Sequence, residues 1–124
     1  MTRKLFFILG TIILLIFGLA FLLLPVLTMK LYGDTIDQVA AFPFRYWGSA
    51  FLGLAVIFWF ARTSDSYALM KGILIGGLVT TAAGFLVGVA DAIWGGHNGL
   101  IYLTPILYAL YAIGCIYFLV KKEK

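Results

Sequence analysis

Charge is the scarcest thing in this sequence. Charged residues fill 11% of its 124 positions against 64% for hydrophobic ones, and the mean hydropathy is +1.09. A water-soluble domain carries roughly a quarter charged residues, because its surface must stay wetted. A chain this poor in charge cannot cover itself in water, which excludes an ordinary soluble domain and makes a bilayer the solvent that fits. Cysteine and histidine occur once each. Cys115 has no partner for an intramolecular disulfide, and within its apolar run it reads as a small buried residue. His97, without further cysteines or a carboxylate cluster, makes no metal site. An enzyme needs a nucleophile, a base and an orienting group within reach. Asp91, His97 and Tyr102 come nearest to such a set, and any three polar residues at a helix end would match it as well. The sequence therefore assigns no catalytic, cofactor-binding or metal-binding residue, and the expectation is a protein that is not an enzyme.

What charge there is has a pattern. The net charge is +4, yet the basic residues sit in small clusters at the ends of apolar runs, not in a stripe along one face. Such clusters anchor helix ends at phospholipid headgroups and argue against a nucleic-acid partner. Arg3 and Lys4 followed by apolar residues imitate a signal peptide, whose apolar core is usually about 7–15 residues with a small-residue cleavage site behind it. The run from Leu5 to Leu27 is longer, and Pro25-Val26-Leu27-Thr28-Met29 offers no such site. It is read as a membrane span.

A spanning helix needs about 20 apolar residues at roughly 1.5 Å each. Four segments qualify: Leu5–Leu27, Phe44–Ala61, Gly72–Trp94 and Leu100–Val120. Each must be helical, because the hydrocarbon offers no water to backbone N–H and C=O groups. The expected fold is thus all-α, one transmembrane domain over residues 1–124 built as a four-helix bundle. With four crossings, both termini and the middle loop share a side, which holds Arg3, Lys4, Arg62, Lys71, Lys121, Lys122 and Lys124. The other side holds Lys30 and Arg45. The positive-inside rule then puts both termini in the cytoplasm.

The loops carry signals of their own. Thr35-Ile36-Asp37-Gln38 has the spacing of a capping box. It predicts a short interfacial helix over 35–42, with Ile36, Val39, Ala40 and Phe42 on the membrane surface. Pro43 either ends that helix or opens the second span. Gly95-Gly96 followed by His97-Asn98-Gly99 predicts a tight reversal, making the third and fourth spans antiparallel neighbours.

Small residues recur every four positions in the third span: Gly72, Gly76, Thr80, Gly84, Gly88 and Ala92. The expectation is a groove along one face, admitting another backbone closely. The groove serves either packing within the chain or a seam with a second copy or a larger membrane protein. Ser49 and Gly53 in the second span, and Gly10 and Gly18 in the first, repeat the theme.

Ionisable groups inside a membrane are costly, and hence pointers to function. Arg45 and Asp91 both fall near the outer ends of their spans, so an ion pair between them is expected. At the same level lie Tyr46, Trp47, Trp94, His97, Asn98 and Tyr102. Together these outline a polar cup opening outward, or else an ion pair ringed by an ordinary aromatic belt. Deeper, Thr104, Tyr108, Tyr111 and Cys115 share one face of the fourth helix. Antiparallel pairing puts Tyr111 near Thr80 and Thr81. A Tyr–Thr hydrogen bond there contributes ~0.6 kcal/mol.

With four spans, Pro25–Tyr32, and Arg45–Arg62 opening on Arg45-Tyr46-Trp47-Gly48, the chain resembles small bacterial integral membrane proteins of the DoxX-like group. The resemblance implies an accessory subunit of the bacterial cytoplasmic membrane, sometimes beside a redox enzyme. Two other four-helix families fit less well. Small multidrug transporters place an acidic residue in the first span, where Leu5–Leu27 has no charge. Fluoride channels look alike around Gly76-Gly77-Leu78-Val79-Thr80-Thr81, but their arginine in span one and asparagine in span two are missing. The expected function is a non-enzymatic accessory or structural protein, in contact with lipid and packing with itself or a larger membrane partner. The alternative is binding or transport of a small solute or lipid through the outer cup.

Overall fold

The computed structural model describes residues 2–94 and 99–121, and every regular element among them is helical. Helix α1 spans Arg3–Leu23, α2 Pro25–Leu31, α3 Gln38–Ala61 and α4 Tyr67–Trp94. A 3-10 turn over Gly99–Tyr102 then leads into α5, Leu103–Lys121. Four segments are long and apolar enough to cross a membrane: Arg3–Leu23, Gln38–Ala61, Tyr67–Ile93 and Leu103–Lys121. The expected Gly95–Asn98 reversal lies outside the described residues.

Three boundaries differ from the sequence expectation, each for a local reason. The first apolar run is not one helix to Leu27. Proline has no N–H for the carbonyl four residues back, and its ring pushes the preceding residue out of helical geometry. Leu24, before Pro25, accordingly takes φ −132° and ψ 54°, and the helix restarts with Pro25 in its first turn. Thr28 mends the break: its hydroxyl donates to the Leu24 carbonyl at 2.7 Å and lies 3.1 Å from that of Ala20. Gly33, at φ 91°, closes α2, donating its N–H to Lys30 O at 3.0 Å. A side chain at such a φ would be strained.

The separate interfacial helix over 35–42 is also not formed. Asp37, not Thr35, is the cap: its Oδ1 accepts from the Ala40 N–H at 2.8 Å. The helix that starts there continues through Pro43 to Ala61. Pro43 falls early in α3, and the carbonyl it leaves without an amide partner is that of Val39, 76% exposed. An open carbonyl near a helix start is met by water or headgroups, so the proline is tolerated there. Finally, α4 begins at Tyr67, before Gly72, because Ser66 accepts from the Leu69 N–H through its hydroxyl and from the Met70 N–H through its carbonyl.

The chain divides into two compact units, Met1–Arg62 and Thr63–Lys124. In the first, α1 and α3 form an antiparallel hairpin. Phe7 packs edge-on to Phe58 with centroids 5.2 Å apart, Thr11 faces Ala55, Gly18 faces Gly48, and Phe21 stacks on Trp47 at 4.7 Å. Two series of buried residues seven apart run along this seam: Thr11, Gly18 and Pro25 on one side, Ala41, Gly48 and Ala55 on the other. A seven-residue repeat keeps one face toward the partner helix. Here the repeating residues are small, so the backbones meet. A Cβ on Gly48 would stand 2.6 Å from Leu22 N and 2.7 Å from Gly18 O.

The second unit is also an antiparallel hairpin, of α4 and α5. Gly77 faces Cys115, Gly84 faces the Tyr108 ring and Gly88 faces Pro105. The α4 face turned to α5 reads Met70, Leu74, Gly77, Thr81, Gly84 and Gly88, in alternating steps of four and three. These close to the 3.6-residue turn and so stay on one side of the helix.

Candidate functional site

Arg45 lies in the second turn of α3. Its Nη2 donates to Gln38 Oε1 at 3.0 Å, and its guanidinium carbon lies 5.3 Å from the Phe42 ring centroid. Gln38, Phe42 and Arg45 share one stripe by their four- and three-residue spacing. The long side chain thus reaches back along the helix toward its polar start, as a cation near an interface does when its stem stays in apolar surroundings. Tyr46, 75% exposed, extends the aromatic fringe. Neither the Gln38 contact nor the Asp37 cap was expected from the sequence. The seven-residue separation of Gln38 and Arg45 is the signal that could have found the former.

Trp47 does not join Arg45. Two residues along a helix is a turn of about 200°, and the Trp47 indole lies in the aromatic cluster of the hairpin, with Phe21 at 4.7 Å and Phe51 at 5.1 Å. Trp47 is therefore a packing residue of the first unit. Asp91 is exposed on α4, one turn before its end, and Tyr102 is exposed at the end of the 3-10 turn. Arg45 belongs to the first unit and Asp91 to the second. His97 and Asn98 lie outside the described residues, as does the side chain of Trp94. Among the described residues, no three or more His, Cys, Asp or Glu side chains gather where they could hold a metal ion.

The small-residue series of α4 does not line one face. Steps of four residues drift by about 40° each, so Gly72 ends up about 160° round the helix from Gly88. At the far end the series meets α5: a Cβ on Gly84 would stand 2.6 Å from the Tyr108 ring, and one on Gly88 3.0 Å from Pro105 Cβ. At the near end Gly72 and Gly76 have nothing within 4 Å of that position. Thr80 is exposed and Ala92 half-buried. On α3, Gly53 is likewise open, and the Ser49 hydroxyl donates to Tyr46 O at 2.7 Å.

The hydroxyls of Thr11 and Thr81 turn to their own helices. Thr11 donates to Phe7 O at 2.8 Å; the Ala55 carbonyl, at 3.5 Å, is too far for a second strong bond. Thr81 donates to Gly77 O at 2.7 Å. The α4–α5 register brings Tyr111 level with Thr81, whose proton goes to its own backbone while its oxygen still has lone pairs to accept a hydrogen bond. A hydroxyl bonded four residues back has its donor satisfied within its own helix.

At the opposite end of α3, the Arg62 guanidinium lies over the Trp59 ring at 3.6 Å and its Nη1 donates to Trp59 O. On α5, Lys121 Nζ lies 5.3 Å from the Tyr117 ring centroid. Basic residues thus lie against aromatic rings at these two helix ends.

Comparison with protein-family models, with curated proteins and with solved structures finds no match for this chain. The site is therefore read from its own geometry.

Proposed function

We propose that this chain is an integral protein of a bacterial cytoplasmic membrane, with four spans and both termini cytoplasmic, that acts as a non-enzymatic accessory subunit. It packs through its lipid-facing small-residue notches against a second copy or a larger membrane protein. The observation that carries this reading is open glycine backbone, found separately on α3 of the first unit and on α4 of the second. On α3 a Cβ at Gly53 would meet nothing within 4 Å, beside exposed Val56 and Ile57; on α4 the same holds at Gly72 and Gly76, beside exposed Ile75 and Val79. A glycine in a membrane helix lets another backbone approach and gain dispersion contacts that lipid tails do not supply. The Pro25–Tyr32 and Arg45–Arg62 resemblance to DoxX-like proteins supports the same role. The alternative, solute binding in an outer cup, is weakened by Trp47 turning into the hairpin and Arg45 bonding to Gln38.

The test is gentle extraction from native membranes followed by native mass spectrometry. A stoichiometric protein partner or a second copy is expected, and Gly72→Leu with Gly76→Leu disperses it. Recovery of the protein as a monomer with lipid alone overturns the accessory reading.

A further inference from the structure

We propose that the terminal end of the first hairpin, formed by Arg3, Lys4 and Arg62 above an apolar collar, binds the headgroup of an anionic phospholipid. The inference rests on the membrane-spanning reading and names a partner for one end of it. The antiparallel register makes the cluster. Phe7 faces Phe58, Thr11 faces Ala55 and Gly18 faces Gly48. Continued outward by the same count, that pairing brings the first turn of α1, with Arg3 and Lys4, level with Arg62 at the end of α3.

Charge within this unit is strongly one-sided. Both of its acidic residues, Asp34 and Asp37, belong to the opposite end, where they offset Lys30 and Arg45. The terminal end has three cations and no acid of its own unit. Asp65, three residues past Arg62, still leaves a positive surplus. Arg62 is also positioned in advance. Its guanidinium is held flat on Trp59 and donates to Trp59 O, so its planar fork has less freedom to lose when it meets a phosphate. Below the cations, Leu5, Trp59 and Phe60 are exposed and give acyl chains an apolar wall. That wall favours a lipid over free phosphate, because only the lipid carries a chain to cover it.

Each basic residue at a membrane surface strengthens attraction to anionic lipid by about fivefold. The experiment adds phosphatidylglycerol or phosphatidylcholine to the full-length protein in detergent and counts retained lipid by native mass spectrometry. Detergent solution removes any effect of the substitutions on insertion. The expected result is preferential retention of phosphatidylglycerol, undisturbed by inorganic phosphate at the same concentration. Arg3→Gln, Lys4→Gln and Arg62→Gln together should abolish the preference for phosphatidylglycerol over phosphatidylcholine at low salt. Lys30→Gln with Arg45→Gln, at the other end, should leave it within about twofold, since that end is already neutralised by Asp34 and Asp37. Circular dichroism checks that both variants keep their helices. Equal preference in the two variants, or displacement of the lipid by inorganic phosphate alone, overturns the proposal. A protein that stays dissolved without detergent and retains neither lipid sinks the membrane reading as well, so the two failures differ.

Discussion

The backbone contact between Gly18 and Gly48 supports a comparison of one chemical change at two places on the same helix. In Gly48→Ala the new methyl meets Leu22 N at 2.6 Å and Gly18 O at 2.7 Å, both backbone atoms that no rotamer can move. Bringing both contacts out to the 3.4 Å of ordinary van der Waals contact requires α1 and α3 to part by about 0.8 Å. The parting loosens the layers on either side, including Phe21 on Trp47 and Thr11 beside Ala55. Overpacking of this kind costs about 1–3 kcal/mol. Gly53→Ala, five residues on, meets nothing within 4 Å. It gains the restricted backbone of alanine, about 0.5–1 kcal/mol in water and less inside a bilayer, where helices are already enforced. The two variants should therefore differ by about 1–4 kcal/mol, with Gly48→Ala the less stable. Reversible unfolding in mixed detergent, followed by far-ultraviolet circular dichroism, measures that difference. If the variants unfold together, or Gly48→Ala is the more stable, the α1–α3 seam is not where the contacts place it.

Two further outcomes check the second hairpin and the start of α3. Gly84→Ala should destabilise by about 1 kcal/mol, since the Tyr108 ring must give way, while Gly76→Ala is neutral or slightly stabilising; thermal unfolding in detergent ranks the two. Asp37→Ala should cost about 1 kcal/mol through loss of the cap to the Ala40 N–H, while Thr35→Ala changes little. The same unfolding assay decides it, and the reverse order would restore the capping box at Thr35.

Length and polarity made most of the architecture legible. Four apolar runs near the thickness of a bilayer admit only helices, and four helices of that kind are present. What escaped was set by single backbone groups. Pro25 divides a run that is unbroken by hydropathy, because the missing N–H is invisible to any scale of apolarity. Pro43, the same residue type, leaves α3 intact because its orphan carbonyl falls at an exposed end. The α4 stripe misled for a geometric reason: a repeat of four looks like a face on paper but winds round a 3.6-residue helix. The partners of α3 were legible in hindsight through the seven-residue series Ala41, Gly48 and Ala55. For the candidate site, residue types were readable and neighbours were not. Arg45 turned to Gln38 on its own helix, and Trp47 pointed the other way, because a side chain's company depends on its helix phase.

The pairing of each long helix with the next long helix along the chain bears on how the protein is made. On the membrane-spanning reading proposed above, a ribosome feeding a translocon releases α1 and then α3, and the seam from Phe7–Phe58 to Phe21–Trp47 needs nothing encoded beyond Arg62. The first hairpin can close while the second is still being translated. Its closing segment, residues 24–37, is partly folded as α2, so the search stays local. Bare glycine backbone at Gly18 and Gly48 is then covered early, before it can pair with a wrong helix in the crowded membrane. The order of synthesis becomes, on this view, part of the information that specifies the fold.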